Sequence, residues 1–106
     1  MNVNEYGIVF RFGTGYDMSG FATLTLVFTK PDNSVLTVTN SSTPNAVTLG
    51  VVPVTTTEGV FAANQYVNYT FAVGDVNEQG IWAVWLTYVD STKRLISDVA
   101  LFTINP

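Results

Sequence analysis

The stretch GFATLTLVFTKPDNSVLTV, Gly20 to Val38, decides the reading of this chain. Ala22–Lys30 runs with a period of two: Ala22, Leu24, Leu26 and Phe28 fall on one side, Thr23, Thr25 and Thr29 on the other. A period of two is the signature of a strand with one buried face. Pro31-Asp32-Asn33-Ser34 follows and supplies turn chemistry. Proline pre-sets φ at the first central position, and Asp and Asn tolerate bent or left-handed backbone. Val35–Thr39 then resumes the alternation with Leu36 and Val38 inward. The spacing predicts a β-hairpin.

The same rhythm extends outward in both directions. Tyr6–Phe12 is expected as a strand with Ile8, Phe10 and Phe12 on one face. Thr39–Asn45 (TNSSTPN) reads as a loop. Ala46–Thr55 is expected as a strand with Val47, Leu49 and Val51 inward. Pro53 lacks the N–H that a central ladder needs, so that end lies on an edge or leaves the sheet. Tyr66–Val73 places Val67, Tyr69, Phe71 and Val73 on one face, and Gly74–Gly80 is a polar turn. Ile81–Val89 is apolar on both parities, as expected of a central strand or one covered on its second side. Leu95–Ile104 closes the chain with Ala100, Phe102 and Ile104 inward. The Val51–Asn64 connection carries the weakest pattern. No segment sustains a 3.6-residue apolar period.

Composition agrees. The commonest residues are the β-branched valine, 16 copies, and threonine, 15 copies, whose stiff χ1 favours strands. About seven short strands with turn signals between them give an all-β, antiparallel β-sandwich. The 106 residues are expected to form a single domain, 1–106. Only 11% of residues are charged, against about 25% in an average soluble domain, which points either to a surface partly covered by a partner or to modest solubility.

Several function classes are disfavoured. The net charge is −4 with four basic residues, and Lys93-Arg94 is the only adjacent basic pair, so nucleic acid is not expected as a partner. No cysteine and no histidine occur, which removes disulfides, thiolate metal sites, thiol nucleophiles and the usual general base. The N-terminus MNVNEYGIVF lacks a secretory pattern. The apolar run Ile81–Leu86 is far short of the roughly 20 residues of a membrane span, so no membrane partner is expected.

Three stretches resemble the immunoglobulin-like (Ig-like) N-terminal domain of phage baseplate upper proteins. They are Asp17–Asp32 (DMSGFATLTLVFTKPD), Gly80–Tyr88 (GIWAVWLTY) and Ile96–Ile104 (ISDVALFTI). They correspond to that family's acidic-apolar-Ser/Thr-Gly start with Lys-Pro-Asp-Gly turn, its Gly-x-Trp strand and its closing Ser-Asp strand. Asn33 stands where the family has glycine. The resemblance implies an Ig-like sandwich and a tailed-phage virion structural domain that docks onto other virion proteins. With no secretory pattern, synthesis in the host cytoplasm is expected, and the partners are expected to be capsid, connector or tail subunits in a multi-copy assembly. Baseplate upper proteins continue past this module whereas this chain stops at Pro106. A stand-alone capsid decoration, head–tail or neck, tail or baseplate accessory protein is therefore expected, and a domain cut from a longer adhesin or enzyme is the less favoured alternative.

Few residues carry site chemistry. Asp75 and Glu78 are read as a solvated turn, with Asp75, Asn77 and Glu78 a lesser calcium possibility. Gly13-Thr14-Gly15 lacks the lysine and helix of a phosphate loop. Asn40-Ser41-Ser42 and Asn68-Tyr69-Thr70 match the glycosylation sequon and are read as idle. No catalytic residue, metal or cofactor is expected. Trp82 is expected in the core, and Trp85 on the opposite face of the same strand, where either a bulge reverses the parity or the second face meets a partner. The candidate partner contacts are Trp85, Tyr66, Pro53, Thr43 and Pro44. The rival reading is a carbohydrate-binding or host-adhesion module, with Trp85, Tyr66 and Tyr88 as a sugar platform.

Overall fold

The computed structural model describes residues 1–57 and 59–106. Its strands are β1 (Val9–Gly13), β2 (Thr23–Thr29), β3 (Val35–Thr39), β4 (Thr48–Leu49), β5 (Val54–Thr56), β6 (Gly59–Phe61), β7 (Tyr66–Thr70), β8 (Gly80–Val89), β9 (Arg94–Ile96) and β10 (Ala100–Ile104). No helix occurs among the described residues. All ladders between these strands are antiparallel.

The opening hairpin forms as its alternation dictates. β2 pairs β3 with Leu26 opposite Val38 and Phe28 opposite Leu36. The turn is closed by Asn33 N donating to Lys30 O (2.9 Å) and Lys30 N to Ser34 O (2.9 Å). Asn33 takes φ 69°, the left-handed position that ends a three-residue hairpin loop. Asp32 Oδ1 accepts Ser34 N at 2.9 Å.

β8 lies at the centre of the larger sheet, ordered β10-β8-β2-β3 with β9 also on β8. Its inner parity, Trp82, Val84, Leu86 and Tyr88, is buried. The strand from Arg94 to Ile104 is interrupted by a bulge: Thr87 faces Ile96, but Val84 faces Ala100 rather than Val99. One extra residue is absorbed there. Ser97 repairs the ladder, because its Oγ accepts Leu86 N (2.9 Å) while its own N donates to Leu86 O (2.9 Å).

The smaller sheet, β1-β7-β4, packs face to face against the first. Phe28 of β2 is the hub between them, with ring centroids 5.3 Å from Phe10, 5.4 Å from Phe71 and 6.3 Å from Trp82. Met18, Val47, Val67, Tyr69, Val76 and Ile104 complete the core. The N-terminal residues run beside the last strand, with a parallel bridge from Asn2 to Asn105, then cross to the smaller sheet as β1.

Every expected segment contains strand, but several details differ. The Ala46–Thr55 strand breaks after Leu49, and Val51, expected inward, is 67% exposed. The ladder runs only as far as Gly50 N donating to Tyr66 O (2.9 Å), because the partner strand β7 itself begins at Tyr66 after a turn at Asn64, φ 63°; Pro53, which could not extend it, lies three residues further on. The chain instead leaves to form the β5–β6 hairpin, which the weak Val51–Asn64 pattern did not announce. Val73, also expected inward, is exposed because β7 ends at Thr70 and the chain turns at Gly74, φ 88°. Ala22 and Ala100 are exposed at strand ends. The first strand begins at Val9 rather than Tyr6, after a bend at Gly7, φ 76°.

Candidate functional site

The outer parity of the larger sheet forms one continuous surface. Register places Val27 beside Trp85, Thr29 beside Ala83, and Leu101 on the other side of Ala83. Ile81 pairs with Thr103, Thr87 with Ile96, and Val35 with Thr29. Ile81, Ile96, Leu101 and Val35 are all more than half exposed, at 63, 58, 70 and 57%. Trp85 is half-buried among these neighbours. Among the strand residues of this parity only Arg94, beside Val89 at the margin, is charged. The arrangement follows from β8 being apolar on both parities: Trp82 fills the core and Trp85 is left on the open side.

The other expected contacts fall elsewhere. Tyr66, expected as a partner contact, is buried at 3% exposure. Its hydroxyl donates to Val52 O at 2.5 Å, and its ring packs over Gly50 and against Phe61, centroids 5.6 Å apart. The β5–β6 hairpin supplies that cover. Tyr88 is buried on the inner face. Trp85, Tyr66 and Tyr88 therefore share no surface, and the sugar platform is not formed. Thr43 and Pro44 are exposed in the link from β3 to β4, and Pro53 is exposed in the link from β4 to β5. None of the three belongs to the strands that carry the Trp85 face.

The polar groups act as fasteners. Asp75, expected to be solvated, is half-buried and accepts Tyr69 OH (2.6 Å) and Ala72 N (2.8 Å). Burial, with help from Asp75, pushes the Tyr69 hydroxyl well above the usual phenol range. Glu78 Oε1 accepts Asp32 N at 2.7 Å, and Asn77 Oδ1 accepts Lys30 Nζ at 2.7 Å. The three side chains of the calcium alternative thus take separate protein donors, two on Asp75 and one each on Asn77 and Glu78. No cluster of three His, Cys, Asp or Glu suited to a metal occurs among the described residues. Asp90 caps its turn, taking Tyr88 OH (2.7 Å) on one oxygen and Thr92 N (2.7 Å) on the other. The Tyr88 bond, then those from Thr92, holds the Asp90 carboxyl below the usual carboxylate range, and the same bond pushes Tyr88 up to about 12. Thr14 ends β1 through N–H to Gln65 O, 2.9 Å. Asn40 serves the fold, its Oδ1 accepting Leu24 N at 3.1 Å.

A second feature went unread in the sequence. β1 ends one sheet and β10 the other, and between these two edges lies a groove of about 1060 Å³. Phe10 and Phe102, both half-buried and 5.1 Å apart, stand at its margin, and Phe61 of the β5–β6 hairpin also lines it. No family model, no curated protein and no solved structure matches the chain.

Proposed function

We propose that the chain is a non-enzymatic structural protein of a tailed-phage virion, built as an Ig-like β-sandwich and working by docking onto other virion subunits. The topology supports the Ig-like reading. The strand orders β10-β8-β2-β3 and β1-β7-β4, with the N-terminal residues parallel to the last strand, correspond to the connectivity of that fold. The observation that carries docking is the outer face around Trp85. A sheet face with Ile81, Ile96, Leu101 and Val35 exposed and one marginal charge is a surface that water does not favour leaving bare. Aromatic and aliphatic residues around a half-buried tryptophan are the composition of an interface core. Symmetry-related copies convert a modest single contact into durable attachment.

The test is quantitative mass spectrometry of particles assembled by the genome that encodes the chain. The reading expects the protein in purified particles at a copy number set by shell, neck or tail symmetry. A chain found only in the host lysate, or one that turns over glycan or peptide substrates, contradicts it.

A further inference from the structure

We propose that the free edge of β1 captures an extended strand of another polypeptide, one that sets a carboxylate opposite Arg11 between two apolar residues. Phe71 N donates to Ile8 O, and Thr14 N to Gln65 O. Even-numbered residues of this strand therefore bond toward β7, and by the alternation of an antiparallel ladder Val9, Arg11 and Gly13 aim their N–H and C=O groups away from it. These groups recur every second residue along one side, a pattern only another extended backbone matches. The other exposed edges differ. β10 is interrupted by the Ser97 bulge and covered at Asn105 by residues 1–3; β3 is closed at Thr39, whose O accepts Val47 N (2.9 Å) and whose N donates to Ser42 Oγ (2.8 Å); and β4 has two residues.

The side chains define the occupant. Phe10 and Phe12 point inward, and Phe10 meets Phe102 of β10 at the groove margin. An added strand would lay alternate side chains over this aromatic margin, so those positions are apolar. The residue between them stands beside Arg11, which makes no ion pair among the described residues. A second copy is disfavoured in the fully overlapping register, because it pairs Arg11 with Arg11, and like charges directly opposite are destabilising. The complementary occupant is acidic at that position. This deepens the docking reading and rests on it for its biological setting.

The probe is the capped pentapeptide Thr-Val-Asp-Val-Thr, matched in length to β1 and titrated into the protein by amide-resolved NMR. Saturable shifts at Val9, Arg11 and Gly13 are expected. Methylating the aspartate backbone nitrogen should weaken binding about fivefold or more, the loss of one hydrogen bond. Val9→Pro removes an edge donor without touching the β7 ladder and should weaken binding similarly. Arg11→Glu, a second variant with an intact backbone, should reverse the preference to a capped peptide with lysine in place of the aspartate, Thr-Val-Lys-Val-Thr. No shift at millimolar peptide, equal binding of the methylated form, or shifts confined to the Trp85 face would overturn the proposal. So would a concentration-dependent dimer abolished by Val9→Pro, which assigns the edge to a second copy. Absence from particles, by contrast, sinks the virion reading alone.

Discussion

Gly50 shows how a single residue sets the shape of the smaller sheet. A Cβ there would lie 2.1 Å from the Tyr66 ring, so the ring can lie flat on the backbone only because the position is glycine. Gly50→Ala should cost about 1–3 kcal/mol, the range for overpacking a filled site, read as a fall in thermal midpoint. Tyr66→Phe, which loses only the bond to Val52, should cost about 1 kcal/mol. Ser97 does comparable work in the other sheet. Ser97→Ala leaves Leu86 N without its acceptor, and the expected results are a loss of about 1–2 kcal/mol and faster amide exchange at Leu86. Unchanged exchange there would show that the bulge does not depend on the hydroxyl.

At the scale of elements, legibility followed periodicity. β2, β3 and the inner parity of β8 were readable because their partners reward alternation: Leu24, Leu26, Phe28, Trp82, Val84 and Leu86 are all within 1% of complete burial. The β5–β6 hairpin was not readable, because its apolar residues are spent on covering Tyr66 and leave Val60 exposed. A three-residue strand offers no period to detect. Tyr66 was misplaced for the same reason: its outward parity is correct for the strand, and the cover comes from a segment without a pattern. The groove edge was invisible because edges are a property of sheet order rather than of any one segment. The hairpin turn gives a direct check. Asn33, at φ 69°, should accept glycine with little change, whereas Asn33→Val should lose about 1–2 kcal/mol, measured by urea denaturation.

For the whole molecule, stability should fall at both ends of the pH scale for separate reasons. Asp90 is held below the ordinary carboxylate range by Tyr88 and Thr92. A depressed folded-state value means its stabilisation is present above the unfolded value, about 4, and fades as pH falls further. Tyr88 is pushed up to about 12, so its contribution is intact below the unfolded value, about 10, and fades as pH rises through 12. Urea midpoints across pH should trace both limbs, and Asp90→Asn should flatten both.

The covered core and the uncovered face belong to the same strand, β8, and the account turns on that division. The most direct measurement compares particles carrying the wild-type chain with particles carrying Trp85→Asp together with Leu101→Asp, the chain being quantified by mass spectrometry after its folding is confirmed by circular dichroism. Attachment through the Trp85 face predicts a folded variant missing from the particles. Retention of that folded variant at wild-type copy number would contradict it.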